Sequence, residues 1–305
     1  MNRRSFARNL AGAALGSAAL PHFSSAAGPG ADSPNAPFGL SVMLWTVFRN
    51  LPFEQRLENV AAAGYKQVEL VGEFKKWSDS DYQQFNQKKR ALGMTFDATS
   101  GIGMSLANPA ERQTFLTEVR NILPTLDRLE CPALIILAGN CIPGMPRYMQ
   151  YQSCIDGLKQ AAEIVEGKNV RILLENIDPI ENPRYFLTSV AEGLEVIRAV
   201  NHPQIKFLCD FYHEQIAEGN LIAKVEKNLD QIGLVHIADV PGRHEPGTGE
   251  INFQNIFKKL AELGYQHNAA MEYMPTYDEI KSLSAARKFA LDSAALAGQP
   301  ANFKS

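Results

Sequence analysis

From residue 38 onward, the chain alternates short apolar segments with longer amphipathic ones. Each apolar segment is four to six residues long, and most are rich in Val, Ile and Leu, as is typical of strands buried on both faces of a parallel sheet. This alternation restricts the fold to the α/β class. The predicted strands are Leu40–Leu44, Gln67–Val71, Thr95–Ala98, Ala133–Ala138, Arg171–Glu175, Ile205–Asp210, Leu234–Ala238 and Ala269–Tyr273.

The connecting segments have helical periodicity. Pro52 opens the first helix, and Gly64 and Gly264 each end a helix whose apolar residues recur at helical spacing. Eight strands alternating with helices predict an α/β fold, a single-domain (β/α)8 or TIM barrel over residues 38–297. An open, doubly wound sheet is the alternative. Such a sheet usually carries a glycine-rich turn after its first strand, whereas residues 45–48 contain no glycine.

The N-terminus is predicted to be a separate unit. Arg3 and Arg4 precede an uncharged run that begins at Leu10, and a small-residue stretch follows, which is the pattern of a twin-arginine export signal. The uncharged run has 11 residues, whereas a membrane span needs about 20. We therefore expect an exported, periplasmic protein with no membrane span after signal removal. The predicted terminal units are a signal peptide (1–27), a linker (28–37) and a C-terminal tail (298–305).

Charge and cysteine content exclude several classes of protein. The formal net charge is −3 and no basic stripe is interleaved with aromatic residues, so nucleic acid is not an expected partner. The expected partners are a small substrate and, in a homo-oligomer, further copies of the chain.

Export would permit disulfides, but Cys131 and Cys141 flank a strand that holds them about 30 Å apart. We predict that these two cysteines, Cys154 and Cys209 are mostly free and buried.

Four consecutive predicted strands each deliver one residue that can bind a metal ion: Glu175, Asp210, His236 and Glu272. Polar side chains at the C-terminal ends of barrel strands point into one shared site. Taken singly, each has an ordinary explanation, such as a helix cap for Asp210 or a satisfied core histidine for His236. Four coincidences on adjacent strands explain the pattern less well than one site. Because buried carboxylates repel one another, a divalent cation would stabilise them together.

The predicted ligand set also indicates the chemistry. Three carboxylates and one imidazole suit one Mn²⁺ or Mg²⁺ ion, with Co²⁺ or Zn²⁺ as alternatives. Open coordination positions would take two adjacent oxygens of a small hydroxycarbonyl or sugar substrate and acidify the C–H bond between them. Glu175 and Glu272 are then placed to move a proton as catalytic base and acid. The pattern predicts an isomerase that works through an enediolate.

Further residues are predicted to contact the substrate. The loop over residues 241–250 is rich in Gly and Pro, yet it carries Arg, His and Glu. We interpret it as a lid whose Arg243 binds a substrate carboxylate or hydroxyl groups, and a solvated turn is the alternative. Glu69 in the second strand and Glu181 after the fifth are predicted substrate contacts. Trp45, at the first strand end, is expected to shape the pocket.

At these residues the sequence resembles the hydroxypyruvate isomerase family, within the xylose-isomerase-like TIM barrels. The resemblance extends over about residues 38–295, and its longest segment is highly specific. The segments that carry it are LEN at 174–176, DFYHEQ at 210–215, EGNL at 218–221, HIADVPGRHEPGTGEIN at 236–252 and EY at 272–273.

The resemblance implies one divalent ion held by the four predicted ligands, with the two glutamates transferring the proton. It also implies that His213 and Arg243 touch the substrate. The implied reaction interconverts hydroxypyruvate and 2-hydroxy-3-oxopropanoate. The chain departs from the family in two respects. Hydroxypyruvate isomerases often have Gln where this chain has His236, and they are cytosolic, whereas this chain is predicted to be exported.

Three alternatives to this function remain open. A ketose 3-epimerase of the same superfamily has His at the position of His236 and uses the same metal, with one glutamate on each face of the substrate. A metal-dependent hydrolase or lyase is more distant, because such barrels usually carry more histidines and two or three metals. An exported sugar-binding protein without activity is the third, and the intact pair of glutamates argues against it.

Overall fold

The computed structural model describes residues 36–298. The predicted signal peptide and nearly all of the predicted linker and tail lie outside this range and stay predictions. Within it, eight parallel strands form a closed barrel in which each strand pairs with its neighbours in chain order, and the last pairs with the first. The predicted single-domain (β/α)8 barrel is therefore confirmed.

The strand bounds agree with the predicted ones to within two residues. The strands are β1 (Gly39–Met43), β2 (Gln67–Leu70), β3 (Thr95–Thr99), β4 (Ala133–Leu137), β5 (Arg171–Glu175), β6 (Ile205–Asp210), β7 (Ile232–Ile237) and β8 (Asn268–Met271). The helices of the described range are α1 (Phe53–Ala62), α2 (Asp79–Ala91), α3 (Arg112–Leu129), α4 (Arg147–Val165), α5 (Val190–Val200), α6 (Phe211–Ala217), α7 (Leu221–Asn228), α8 (Phe253–Glu262) and α9 (Glu279–Ala294).

Local sequence signals set the ends of several helices. Ser78 precedes α2, where its Oγ accepts a hydrogen bond from the Asp81 backbone N–H, and the Asp81 carboxylate accepts one from the Ser78 N–H. A cap of this kind stabilises a helix by about 1 kcal/mol. Gly64 and Gly264 follow α1 and α8 with φ angles of 93° and 66°. Residues with a side chain rarely adopt this conformation, so both glycines end their helices as predicted.

Apolar side chains fill the inside of the barrel below its C-terminal mouth. None of them is more than 3% exposed. The outward-facing residues pack against the helices in one continuous core. Because the interior is closed at this level, the C-terminal mouth is where polar side chains can face solvent. The interior set is Met43, Ala98, Ala133, Ile135, Leu173, Leu208, Leu234 and Ala270.

The cysteines are free, as predicted. Cys131, Cys154 and Cys209 are buried, while Cys141 is exposed. Burial raises the pKa of the Cys131 thiol to about 12, so this thiol stays protonated and unreactive at neutral pH. Within residues 36–298, none of the helices is long and apolar enough to cross a membrane.

Candidate metal centre

The predicted ligands come together at the C-terminal mouth. Side chains alternate along a strand, so the residue two positions beyond an interior apolar residue also faces the barrel axis. On β5 to β8 and their ends, those residues are Glu175, Asp210, His236 and Glu272. Each offers a ligand atom, and these atoms all lie within 4.8 Å of one another. All four residues are buried.

The cluster has the unpaired polar atoms that a cation would satisfy. His236 Nδ1 lies 2.7 Å from Glu272 Oε2, 3.6 Å from Glu175 Oε1 and 3.8 Å from Asp210 Oδ2. Despite these short distances, three of the atoms lack an aligned hydrogen-bond partner: Asp210 Oδ2, His236 Nδ1 and Glu272 Oε2. Buried polar atoms are normally hydrogen-bonded. The donor set therefore fits a divalent ion at the point the four side chains share.

Glu69 lies behind His236. It is fully buried, and its Oε2 is 3.0 Å from His236 Nε2, the ring nitrogen that faces away from the other three ligands. When the ring of His236 is neutral, a carboxylate in this position can accept the Nε2 proton and leave the Nδ1 lone pair free to bind an ion. The substrate contact predicted for Glu69 stays a prediction, and in the structure its carboxylate lies against the imidazole ring of His236. From this position Glu69 can orient His236, one of the four candidate ligands.

Charged side chains of both signs surround the cluster and shift the pKa values of its members. Burial disfavours the Asp210 carboxylate, but the positive charges on His213, His236 and Arg243 outweigh that effect and lower the pKa of Asp210. Burial raises the pKa of Glu175, and neighbouring carboxylates add to the rise. The pKa of His236 is raised well above its usual value, because the surrounding carboxylates outweigh the effect of burial. The site therefore concentrates negative charge that a cation would neutralise.

Arg243 closes one side of the centre. Its Nη2 lies 2.8 Å from Glu272 Oε2, and its Nε donates a hydrogen bond to the Glu272 backbone oxygen at 3.2 Å. The guanidinium carbon lies 5.0 Å from the Tyr212 ring centre and 5.4 Å from that of Trp45. Trp45 Nε1 also donates to Glu272 Oε1 at 2.7 Å. Arg243 and Trp45 therefore hold the Glu272 carboxylate. That Arg243 binds substrate and that Trp45 shapes the pocket stay predictions.

The loop that carries Arg243 is fastened by hydrogen bonds, and its predicted role as a lid stays a prediction. Asp239 is fully buried at the end of β7. Met274 N donates to the Arg243 carbonyl oxygen at 2.7 Å. Gly249 is required, because a Cβ there would lie 2.1 Å from the Val240 carbonyl oxygen. The Asp239 carboxylate accepts hydrogen bonds of 2.8 to 3.0 Å from the backbone N–H groups of Val240, Gly247, Gly249 and Ile251.

His213 and Glu181 lie beside the centre, next to Asp178, a residue that the sequence analysis missed. His213 Nδ1 is 2.6 Å from Asp178 Oδ2, and His213 Nε2 is 3.6 Å from Asp210 Oδ2. Despite burial, the charge of Asp210 and the hydrogen bond to Asp178 raise the pKa of His213 to about 9. Tyr212 donates its hydroxyl proton to Glu181. Asp178 could have been predicted as a site residue from the sequence, because it lies only three residues after Glu175.

Tyr185 is a second residue that the sequence analysis missed. Its hydroxyl accepts a hydrogen bond from Ala138 N at 2.7 Å and donates one to the Glu175 backbone oxygen at 3.1 Å. The side chain thus bridges β4 and β5 where the two strands end. It holds the backbone of Glu175 in place. The sequence around Tyr185 contains no motif that could have predicted this contact.

A separate cavity of about 710 Å³ lies at the opposite end of the barrel, around Arg171 and His267. Arg171 Nη1 is 2.7 Å from His267 Nδ1. Burial and the positive charges of Arg171 and Lys206 lower the pKa of His267 to about 4. None of the four clustered ligands lines this cavity. Since chemistry in this fold takes place at the C-terminal face, we place the functional site at the mouth.

The geometry defines a (β/α)8 barrel protein whose C-terminal mouth holds a buried cluster of three carboxylates and one histidine. The chain matches the family model of the xylose isomerase-like TIM barrel over residues 57–291. It therefore belongs to the xylose isomerase-like TIM barrel family, and its relatives include the hydroxypyruvate isomerases, as the sequence resemblance predicted.

Two named relatives and one solved structure are similar to this chain over most of their length. A Danio rerio protein provisionally named a hydroxypyruvate isomerase is 32% identical over 270 residues, which are 83% of this chain and 96% of that protein. A 2-oxo-tetronate isomerase of Haemophilus influenzae is 30% identical over 256 residues, or 81% and 97%. A crystal structure from Brucella melitensis, described as AP endonuclease, family 2, has a TM-score of 0.75 at 26% identity and covers 82% of this chain and 98% of that one. Both named relatives are isomerases by name, which agrees with the enzyme class predicted for this chain.

Proposed function

We propose that the protein is a divalent-metal-dependent aldose–ketose isomerase that acts on hydroxypyruvate or a similarly small hydroxycarbonyl compound. The observation that carries the proposal is the buried cluster of three carboxylates and one histidine, whose ligand atoms lie within 4.8 Å of one another. The names of the relatives, hydroxypyruvate isomerase and 2-oxo-tetronate isomerase, support the reaction class.

The residues that would hold the ion are Glu175, Asp210, His236 and Glu272. When bound there, a divalent ion would supply Lewis-acid chemistry, which would acidify the C–H bond next to a substrate carbonyl. The oxygen-rich donor set favours Mn²⁺ or Mg²⁺ over softer ions. Glu69 keeps the ring of His236 in the orientation that binding requires.

Glu175 and Glu272 would move the proton. They stand on β5 and at the end of β8, with the strands of the other two ligands between them, so a substrate at the cluster has one glutamate on each side. One carboxylate removes the proton from the hydroxyl-bearing carbon, leaving an enediolate, and a proton returns to the former carbonyl carbon. Arg243 would bind the substrate carboxylate, and its contact with Glu272 keeps that side chain aimed at the reacting carbons.

Replacing either glutamate tests the proposal. In Glu175→Gln and Glu272→Gln, the side-chain shape remains but the basic oxygen is lost. We expect each variant to lower kcat by about 10² to 10⁴-fold, the usual contribution of a positioned acid or base. The measurement is solvent deuterium incorporation into hydroxypyruvate, followed by NMR in D₂O with Mg²⁺.

Glu250→Gln is the matched control, because Glu250 is exposed on the loop after β7 and pairs only with Gln215. It should retain the rate of the unmodified protein. Metal content per chain, measured by mass spectrometry, should be one ion. Full activity in the presence of a chelator would contradict the proposal, and two or more tightly bound ions would favour a hydrolase.

A ketose 3-epimerase is the second candidate, favoured by the placement of one glutamate on each side of the cluster. In such a reaction one glutamate takes the C3 proton from one face of the ketose and the other returns a proton to the opposite face. The position of the label decides between the two. With a 2-ketose as the substrate, deuterium at C1 or C2 supports the isomerase, and deuterium at C3 with inverted configuration supports the epimerase.

A further inference from the structure

The strands begin around a cavity of about 710 Å³ at the base of the barrel, the end opposite the metal centre. Its inner wall includes Ala133, Leu173 and Leu234, which belong to the apolar layer that fills the barrel. This layer separates the cavity from the four candidate ligands at the mouth. The volume of the cavity is in the range of sites that bind a small molecule.

Arg171, the first residue of β5, lines this cavity and directs its positive charge at an uncharged ring. Its Nη1 lies 2.7 Å from His267 Nδ1. A guanidinium group can only donate hydrogen bonds, so Nδ1 is the acceptor and the proton of the neutral ring is on Nε2. Among the described residues, Arg171 forms no ion pair. Its charge and its other N–H groups are therefore available to a ligand.

Two lysines add positive charge at this end of the barrel. Lys168 is exposed and lines the cavity, and Lys206 lies on β6, where its Nζ donates to the Asp230 carbonyl oxygen at 2.8 Å. Burial and the positive charges of Arg171 and Lys206 lower the pKa of His267, and within residues 36–298 no carboxylate opposes that effect. The local potential at His267 is therefore positive.

The carboxyl groups that line the cavity do not neutralise this charge. Glu130 forms ion pairs with Lys89 and Arg90. Asp97 is buried and accepts a hydrogen bond from Ser41 Oγ at 2.7 Å. Because burial raises the pKa of Asp97 to about 7, this group is partly protonated at neutral pH. The wall formed by Lys168 and Arg171 therefore keeps an excess of positive charge.

The backbone of this cationic wall is held in place by a single side chain. Gln204 Nε2 lies 2.8 Å from three carbonyl oxygens of the segment that leads into β5, those of Val165, Lys168 and Val170. The segment is thus fastened on both sides of Lys168 and directly before Arg171. A wall that is already ordered loses little conformational freedom when a ligand binds.

We propose that the cavity at the base of the barrel is a second binding site, which takes a small organic oxyanion, either a carboxylate or a phosphate ester. The planar guanidinium group of Arg171 matches two oxygens of such a group at once. Lys168 adds charge, and His267 Nε2 adds a neutral donor. The inference does not depend on the proposed isomerase function, because the metal centre lies on the far side of the apolar layer.

The ring of His267 reports directly on this cavity. The experiment titrates the full chain with succinate at constant ionic strength in the presence of Mg²⁺, followed by NMR of ¹⁵N-labelled histidine rings. The spectrum of His267→Gln identifies the signal of His267. We expect succinate to shift this signal in a saturable manner. Succinamide, which has nearly the same size and no charge, should leave the signal unchanged.

Inorganic phosphate is the second probe, and it separates the two classes of oxyanion. It should also shift the His267 signal to saturation. A lower dissociation constant for succinate would assign the site to carboxylates, and a lower constant for phosphate would assign it to phosphate esters.

Two variants connect the binding to the cationic wall. Arg171→Gln should raise the dissociation constant for succinate by about tenfold or more, as expected when a hydrogen bond to a charged group is lost. Lys168→Gln should raise it by about threefold, because an exposed charge contributes less. Lys281→Gln is the matched control. Lys281 is exposed near the start of α9, at the other end of the barrel, and its replacement should leave the constant unchanged.

Several results would overturn the second site. One is a shift of His267 that grows with anion concentration without saturating, and another is the absence of any shift. Binding of succinamide as tight as that of succinate would rule out an anion site. Shifts of His213 and His244 without a shift of His267 would place the anion at the mouth instead. An unchanged dissociation constant in Arg171→Gln would also overturn it, and Lys168→Gln decides in the same way if Arg171→Gln does not fold.

Discussion

At the scale of single residues, the candidate metal centre depends on a carboxylate that holds His236 through the ring nitrogen facing away from the cluster. The Glu69 carboxylate lies 3.0 Å from His236 Nε2, and the Nδ1 atom faces the three carboxylates. Such a partner fixes the tautomer and orientation of a ligand histidine and increases its basicity. A carboxylate that contacts neither ion nor substrate can therefore control metal affinity.

Replacing Glu69 with glutamine should weaken metal binding. The amide oxygen can still accept the Nε2 proton, but it lacks the negative charge that makes His236 a stronger ligand. We expect the dissociation constant for Mn²⁺ to rise by about tenfold, the low end of the range for outer partners of metal ligands. Competition with a chelator measures it. Glu58→Gln, on the exposed side of α1, should leave it unchanged, and an unaltered constant in Glu69→Gln would contradict the role of this residue.

At the scale of structural elements, the loop after β7 is shaped by a single buried carboxylate. Asp239 accepts four backbone hydrogen bonds from the segment between Val240 and Ile251. That segment carries Arg243, whose guanidinium group reaches Glu272. The geometry of the loop is therefore fixed at the strand end, and Arg243 is positioned before any substrate binds.

Asp239→Ala should affect both stability and activity. The variant leaves backbone N–H groups without their acceptor, and we expect a loss of about 3 kcal/mol, within the range for unsatisfied buried groups. That loss corresponds to a decrease in Tm of roughly 6 to 12 °C, measurable by calorimetry. Because Arg243 would shift, kcat/KM should fall as well. Glu250→Ala on the same loop should change Tm little, and equal Tm values for the two variants would contradict this account.

At the scale of the whole molecule, stability should depend on a polar layer at the base of the barrel. Asp97 is buried there, where its carboxylate accepts hydrogen bonds from Ser41 Oγ at 2.7 Å and Asn268 Nδ2 at 2.6 Å. Burial, together with the negative charge of Glu69, raises the pKa of Asp97 to about 7. In the unfolded chain this pKa is about 3.9.

The pH dependence of the free energy of unfolding follows from this difference between the folded and unfolded pKa values of Asp97. Between about pH 4 and pH 7 the folded protein keeps a proton that the unfolded chain releases, so the free energy of unfolding falls as pH rises through that window. Asp97→Asn removes this effect and should gain up to about 4 kcal/mol over the unmodified protein above pH 7, with no such gain below pH 4. Urea unfolding at a series of pH values across this window measures the free energy of unfolding of each protein. Asp79→Asn, at an exposed position, should follow the unmodified protein, and parallel curves for Asp97→Asn would contradict the assignment.

The architecture and the convergence of four candidate ligands could be predicted from the amino-acid sequence alone. Apolar segments of strand length, separated by helices, can bury their surface only as a parallel sheet between helices, and eight of them close into a barrel. In a barrel, a polar residue at the C-terminal end of a strand must lie at the mouth. The positions of Glu175, Asp210, His236 and Glu272 on consecutive strands were therefore sufficient to predict that their side chains meet.

The groups that surround those four side chains could not be predicted from the sequence and became clear from the three-dimensional structure. Glu69 and His236 are 167 residues apart, and which ring nitrogen meets a carboxylate depends on the register and depth of two strands on different sides of the barrel. Similarly, Val71 and Leu137 have the composition of core residues, and their exposure follows from where each strand ends. Such contacts are set by distances between elements, and no local pattern in the sequence encodes those distances.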